Sequence, residues 1–219
     1  MSNQHASPDT RSPSDREHVR HVAPRWEVAA FSRTMPGERA CGDAVSIYPA
    51  QDWLTVLVVD GLGHGSKAHE ASAAAVAHVT QRLEENPGVG IESLMQSCHK
   101  KLAGTRGAAV GICRLEPDEG ALRFCGVGNI TLTSHPSRRG LGVSLAGVVG
   151  YRMRKVKEFV CELEPGDLIA LFSDGISTSL SLKTIAMQPL EAMMETVQEN
   201  WVKDHDDATF VAIRLSEAP

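Results

Sequence analysis

Six residues in a row, Leu54 to Val59 (LTVLVV), are apolar or β-branched without alternation, and they run directly into Asp60-Gly61. A run this short and continuous reads as a strand buried on both faces. Its mate is Ala44 to Tyr48, reached across the polar break Pro49-Ala50-Gln51-Asp52, so the two form a hairpin. The sequence then supplies cover for one face. After Gly65, with Ser66 as N-cap, Ala68, Ala71, Ala75, Val76, Val79 and Leu83 recur at helical spacing until Asn86-Pro87-Gly88. A second helix carries Ile91, Leu94, Met95, Cys98 and Leu102 on one stripe and stops at Gly104. The two helices are expected to pack together, with the alanine face of the first lying close to a neighbouring layer.

Further strand-like runs follow at Ala108 to Leu115, Ala121 to Val127, Ile130 to Thr133, Val156 to Leu163 and Leu168 to Phe172. Turns such as Glu116-Pro117-Asp118-Glu119-Gly120 and Glu164-Pro165-Gly166-Asp167 separate them. A helical stretch from Leu190 to Trp201 and a strand from Ala208 to Leu215 close the chain. Strands and helices come in blocks and do not alternate. The expected class is therefore α+β, antiparallel sheets with helices on their outer faces, and not a doubly wound parallel sheet.

With 219 residues, 42% of them hydrophobic, the chain is long enough for one sizeable core and short for two enzymatic domains. Residues 1–24 are rich in Ser, Pro, Asp, Arg and His and poor in large apolar side chains, so they are expected to be a flexible tail ahead of a domain at 25–217. A net charge of -5, with no basic run interleaved with aromatics, argues against a nucleic-acid partner. The 5 cysteines are odd in number, widely spaced and never Cys-x-x-Cys, which fits buried thiols better than a zinc knuckle or disulfide framework. No segment reaches the roughly 18 apolar residues of a membrane span, and no signal peptide is visible. The expected location is the cytoplasm.

Asp43 precedes the first strand of the hairpin and Asp60 follows the second, so antiparallel pairing brings both carboxylates to one end of the ladder. Asp174 ends the run Leu168 to Phe172 and Asp207 begins the run Ala208 to Leu215. If those strands pair antiparallel, this second pair of acids also shares one end. Oxygen ligands gathered at strand ends suit hard divalent cations, whose charge offsets the repulsion between carboxylates. Gly42, Gly61 and Gly175 beside the acids permit abrupt turns or close approach to an ion. Any one Asp-Gly pair alone is ordinary turn chemistry; four acids at matched strand ends point to a metal site.

Gly42-Asp43, Val58-Val59-Asp60-Gly61-Leu62-Gly63-His64-Gly65, Gly126-Val127-Gly128-Asn129, Phe172-Ser173-Asp174-Gly175-Ile176 and Asp206-Asp207-Ala208-Thr209 resemble, in order and spacing, the PPM (type 2C-like) protein phosphatases, in particular the bacterial SpoIIE/RsbX branch. The likeness runs from about Gly37 to Leu215. It implies an αββα sandwich of two antiparallel sheets flanked by helices, with a two-metal centre at one edge. By similarity, Asp60 would bridge two divalent ions, Mn2+ or Mg2+, with the Gly61 carbonyl as a further ligand. Asp174 and Asp207 would hold one ion, with Asp206 as a competitor for the second place, and Asp43 would support the other, water being one route. The implied reaction is hydrolysis of phosphoserine or phosphothreonine by attack of a metal-activated water. The implied substrate is a phosphorylated STAS-domain protein, an anti-sigma-factor antagonist or stressosome component, and the expected enzyme is a monomer or weak dimer.

Two positions depart from the larger relatives. Where they carry a His directly after the Asp-Gly pair, this chain has Leu62 and offers His64 as a candidate general acid; where they carry a phosphate-binding Arg, it has Glu38, with Arg39 in imperfect register. Gly61-Leu62-Gly63-His64-Gly65-Ser66-Lys67 lacks nucleotide P-loop spacing, and Ser66 lacks the Gly-x-Ser-x-Gly context of a hydrolase nucleophile. Two other functions compete with the enzyme reading: an inactive phosphatase-like module that binds the same partner, and a phosphatase of small molecules.

Overall fold

The computed structural model describes residues 18–23, 25–50, 53–116 and 118–216. Its elements in chain order are β1 (Val19–Ala23), β2 (Trp26–Arg33), β3 (Asp43–Pro49), β4 (Leu54–Gly61), α1 (Ser66–Glu85), α2 (Ile91–Lys101), β5 (Ala108–Glu116), β6 (Ala121–Val127), β7 (Thr131–His135), β8 (Gly147–Val148), β9 (Arg152–Met153), β10 (Phe159–Glu162), β11 (Leu168–Phe172), α3 (Leu182–Ile185), α4 (Leu190–Asn200) and β12 (Ala208–Leu215). One sheet has the order β1-β2-β12-β11-β7 and the other β10-β6-β5-β4-β3, and all their ladders are antiparallel.

Strand periodicity builds the layers. In β4, Val56 and Val58 face the other sheet while Leu57 and Val59 face α1 and α2. In β11, Ile169 and Leu171 point inward, and Ala170 and Phe172 meet α3 and α4. β12 repeats this with Val211 and Ile213 inside, Phe210 and Ala212 outside. Both faces of the central strands are thus buried, each large apolar side chain contributing about 1.5–3 kcal/mol, and four layers result: helices, sheet, sheet, helices. This is the expected αββα sandwich. Ala68, Ala71 and Ala75 are fully buried, so α1 lies close against β3 and β4.

Several boundaries differ from expectation. Val19–Ala23, assigned to the tail, forms edge strand β1 against β2, from Val19 opposite Ala30 to Ala23 opposite Trp26. An edge strand is held by main-chain bonds and half-buried alternate side chains, so its composition resembles that of a tail. The rest of the expected tail, residues 1–17 and Pro24, lies outside the described residues, as do Gln51, Asp52, Pro117 and the expected domain limit at Glu217. The cap of α1 is Gly65, at φ 71°, and Ser66 is the first helical residue. Only Phe159–Glu162 of the run Val156 to Leu163 pairs in the sheet, because Glu158 N–H is taken by Glu92 Oε1 (2.7 Å). All five cysteines are free and buried.

Candidate metal centre

Register brings the acids together. Asp43 stands directly opposite Asp60 in the β3–β4 ladder. In the other sheet Phe172 pairs with Phe210, so Asp174 leaves β11 beside the point where Asp207 enters β12. The chain must turn tightly there: a methyl group at Gly175 would lie 1.9 Å from the Asp207 carbonyl oxygen, and one at Gly61 would lie 2.2 Å from the Ala68 carbonyl oxygen. Both positions therefore require glycine because backbone meets backbone, although neither has a positive φ.

The carboxylates are not equivalent. Asp43 is 3% exposed and accepts a hydrogen bond from Ser173 Oγ (2.6 Å), which itself accepts from Thr209 N–H (2.9 Å). Thr209 Oγ1 meets Ser32 Oγ at 2.7 Å, so a polar chain stitches the two sheets together beneath the acids. Asp207 is 2% exposed and both its oxygens serve backbone donors: Oδ1 accepts from Met35 N–H and Oδ2 from Gly42 N–H, each at 2.8 Å. Asp207 thereby fixes the loop between β2 and β3 against the start of β12.

Asp60 and Asp206 are half-buried and Asp174 is exposed, so these three face the open edge. Burial, and then the Asp174 carboxylate, push Asp60 up to about 7, against an opposing hydrogen bond from Asn129. The Asn129 amide also donates to Asp174 Oδ2 (2.7 Å), which makes Asn129 a link between the two acids. Asp206 is raised by burial and then by Asp174. Asp43 is held well above the usual carboxylate range by burial and then by Asp60. A divalent cation would offset this mutual repulsion, and the donors available, carboxylates and the Gly61 carbonyl, are the hard oxygens such ions take. Among the described residues no group of three or more His, Cys, Asp or Glu side chains is gathered tightly enough to enclose an ion by itself.

The remaining candidates lie at the rim. His64 Nδ1 meets Glu38 Oε1 at 2.6 Å, with the imidazole 61% exposed. Arg39 is exposed. Lys203 Nζ donates to the Asp174 carbonyl oxygen (2.5 Å), placing a cation behind the acid edge. A cavity of about 610 Å³ adjoins, lined by Ser32 to Glu38 and by Gln198; it shares Met35 with the Asp207 contacts and Glu38 with His64. Asn129, Ser173, Thr209 and Lys203 escaped the sequence reading as functional groups. The first three sit inside the quoted motifs, where attention to acids alone passed over the polar neighbours that hold them; Lys203 carries no motif signal.

Comparison with known proteins agrees with this architecture. Residues 51–216 match the family Stage II sporulation protein E (SpoIIE). Phosphoserine phosphatase RsbX of Bacillus subtilis (strain 168) is 25% identical over 193 residues, 87% of this chain and 95% of that protein. A chain from a structural study of the bacterial stressosome, a modular system adapted to control secondary messenger signaling, superposes with a TM-score of 0.79 at 28% identity, over 86% of this chain and 99% of that one. RsbX in complex with magnesium shares the fold at a TM-score of 0.78 and 22% identity, over 91% of this chain and 100% of that one. Since the family match takes in β4 through β12 and so both halves of the acid edge, the chain belongs to the SpoIIE family and is a PPM-type phosphatase domain.

Proposed function

We propose that the chain is a metal-dependent protein phosphatase of the cytoplasm, hydrolysing phosphoserine or phosphothreonine on a regulatory protein, a STAS-domain anti-sigma-factor antagonist or stressosome component. The observation that carries this reading is the juxtaposition of Asp60, Asp174 and Asp206 at one open sheet edge, with Asn129 donating to Asp174. The similarity to a phosphoserine phosphatase supports the phosphoserine substrate, and the similarity to a chain from a structural study of the bacterial stressosome supports the kind of partner.

On this reading Asp60, the Gly61 carbonyl and Asp174 hold two divalent ions, Mn2+ or Mg2+, which when bound supply a hydroxide nucleophile near neutral pH and neutralise charge on the phosphoryl oxygens. Asp206 takes the ligand place that the resemblance offered to Asp207, because Asp206 is half-buried at the edge beside Asp174, whereas Asp207 is 2% exposed and each of its oxygens is held by a backbone N–H of the β2–β3 loop. Asp43 lies deeper, bonded to Ser173, and supports Asp60 from across the ladder. Asn129 and Lys203 orient Asp174 through its side chain and its carbonyl. The cavity beside Met35 and Glu38 offers a polar seat for the chain segment that bears the phosphate.

The test uses purified protein with manganese and a phosphoserine STAS-domain protein. Phosphate release that stops on chelation is the expected result. Stoichiometric binding without release would favour an inactive binding module, and equal turnover of small phosphate esters would favour a small-molecule phosphatase.

A further inference from the structure

A phosphate monoester brings two negative charges to an edge already crowded with carboxylates, where a side-chain cation would add to the neutralisation that bound metal ions supply. Most cations near the edge are engaged: Lys203 with the Asp174 carbonyl, Arg33 with Asp204, Lys67 with Glu70. Arg39 and Arg106 are different: both are exposed, and among the described residues neither makes a hydrogen bond or ion pair. Of the two, Arg106 is the one whose place next to Asp60 and Gly61 is set by the β4–β5 ladder.

The backbone fixes where it stands. The β4–β5 ladder pairs Asp60 with Ala109 and Gly61 with Ala108, and it continues one step further through Leu62 N–H to the Gly107 carbonyl (3.0 Å). The next position on each side is Gly63 and Arg106. Their contact is close: a methyl group at Gly63 would lie 2.9 Å from Arg106 Nη1. Gly63 is also at φ 86°, which favours glycine there whatever the neighbouring side chain does. The turn that carries Arg106 is stiff. Thr105 Oγ1 donates to the Leu102 carbonyl (2.8 Å) and accepts from Gly107 N–H (3.0 Å), and Ala108 exchanges both backbone bonds with Val149. Gly107 leaves no room for a side chain against Val148 and Val149.

We infer that Arg106 is a substrate-binding residue, its guanidinium receiving the phosphoryl oxygens of the bound phosphoserine or phosphothreonine, in the role for which the chain has no arginine at Glu38. The planar fork of donors matches a phosphate bidentately, and a side chain held without an internal partner on a rigid turn keeps its donors free for a ligand. The inference rests on the phosphatase reading and names the group that recognises the phosphate.

The experiment compares wild type, Arg106→Ala, Arg106→Lys and Arg39→Ala as full chains loaded with manganese. Inorganic phosphate is titrated calorimetrically, and kcat and KM are measured on a phosphoserine peptide. Arg106→Ala is expected to weaken phosphate binding and raise KM by about tenfold or more, the loss of one charge-assisted contact. Arg106→Lys should recover part of the loss, and manganese affinity and melting temperature should not move. Unchanged phosphate affinity in Arg106→Ala, the same loss in Arg39→Ala instead, or a loss that follows manganese affinity or melting would each overturn the inference. Wild type that binds phosphate but releases none from the peptide would sink the phosphatase reading alone; the Arg106→Ala titration would still decide the phosphate contact.

Discussion

Neighbouring aspartates in this site have opposite tasks. Asp207 is buried and held by Met35 and Gly42 N–H groups, whereas Asp206, one residue earlier, is half-buried and feels Asp174. Asp206→Asn should therefore fold normally and lose at least about 100-fold in turnover, the upper end of what removing even an outer-shell partner costs a metal site. Asp207→Asn turns an NH2 group against a backbone N–H, so it should lose about 1–3 kcal/mol of stability, the cost of a buried unsatisfied donor. Denaturant midpoints and steady-state rates separate the two. His64 is exposed and paired with Glu38, and His64→Ala should change kcat less than about threefold with the same pH profile, where loss of a general acid would cost about 100-fold or more. From sequence, the acids were visible as Asp beside Gly at strand ends. Which of Asp206 and Asp207 faces the edge was not, because two adjacent carboxylates differ only in where the backbone points them.

Among the elements, β3–β4 and β11–β12 carry the site, and the Ser173 hydroxyl joins them alongside the Asp207–Gly42 contact. Ser173 Oγ donates to Asp43 on one sheet and accepts from Thr209 N–H on the other. Ser173→Ala leaves both groups buried without that partner and should cost about 1–3 kcal/mol. Chemical denaturation measures it, and manganese affinity should fall in the same variant as Asp43 loses its place behind Asp60. The strands were legible where burial on two faces leaves long apolar runs, as in Leu54 to Val59, Leu168 to Phe172 and Ala208 to Leu215. β1 was not, since Val19, His21 and Ala23 are only half-buried at a sheet edge and Arg20 and Val22 are exposed. The four-residue helix α3 is too short to show a period.

For the whole molecule, the sandwich places one end of each sheet side by side, and that is what converts two separate hairpin-like arguments into one centre. Periodicity gives each antiparallel pair by itself; the meeting of the two sheets at the Asp43–Ser173–Thr209 chain depends on packing across some 130 residues of sequence, which no local pattern encodes. The most direct test is phosphate release from a phosphoserine protein by the full chain with manganese, with a chelator, and in Asp174→Asn, alongside calorimetric manganese titration of wild type and variant. Release that requires the metal, falls by about 100-fold or more in Asp174→Asn and is matched by weakened manganese binding is expected of this centre. Release that persists with the chelator, or an Asp174→Asn variant as active as wild type, would contradict it.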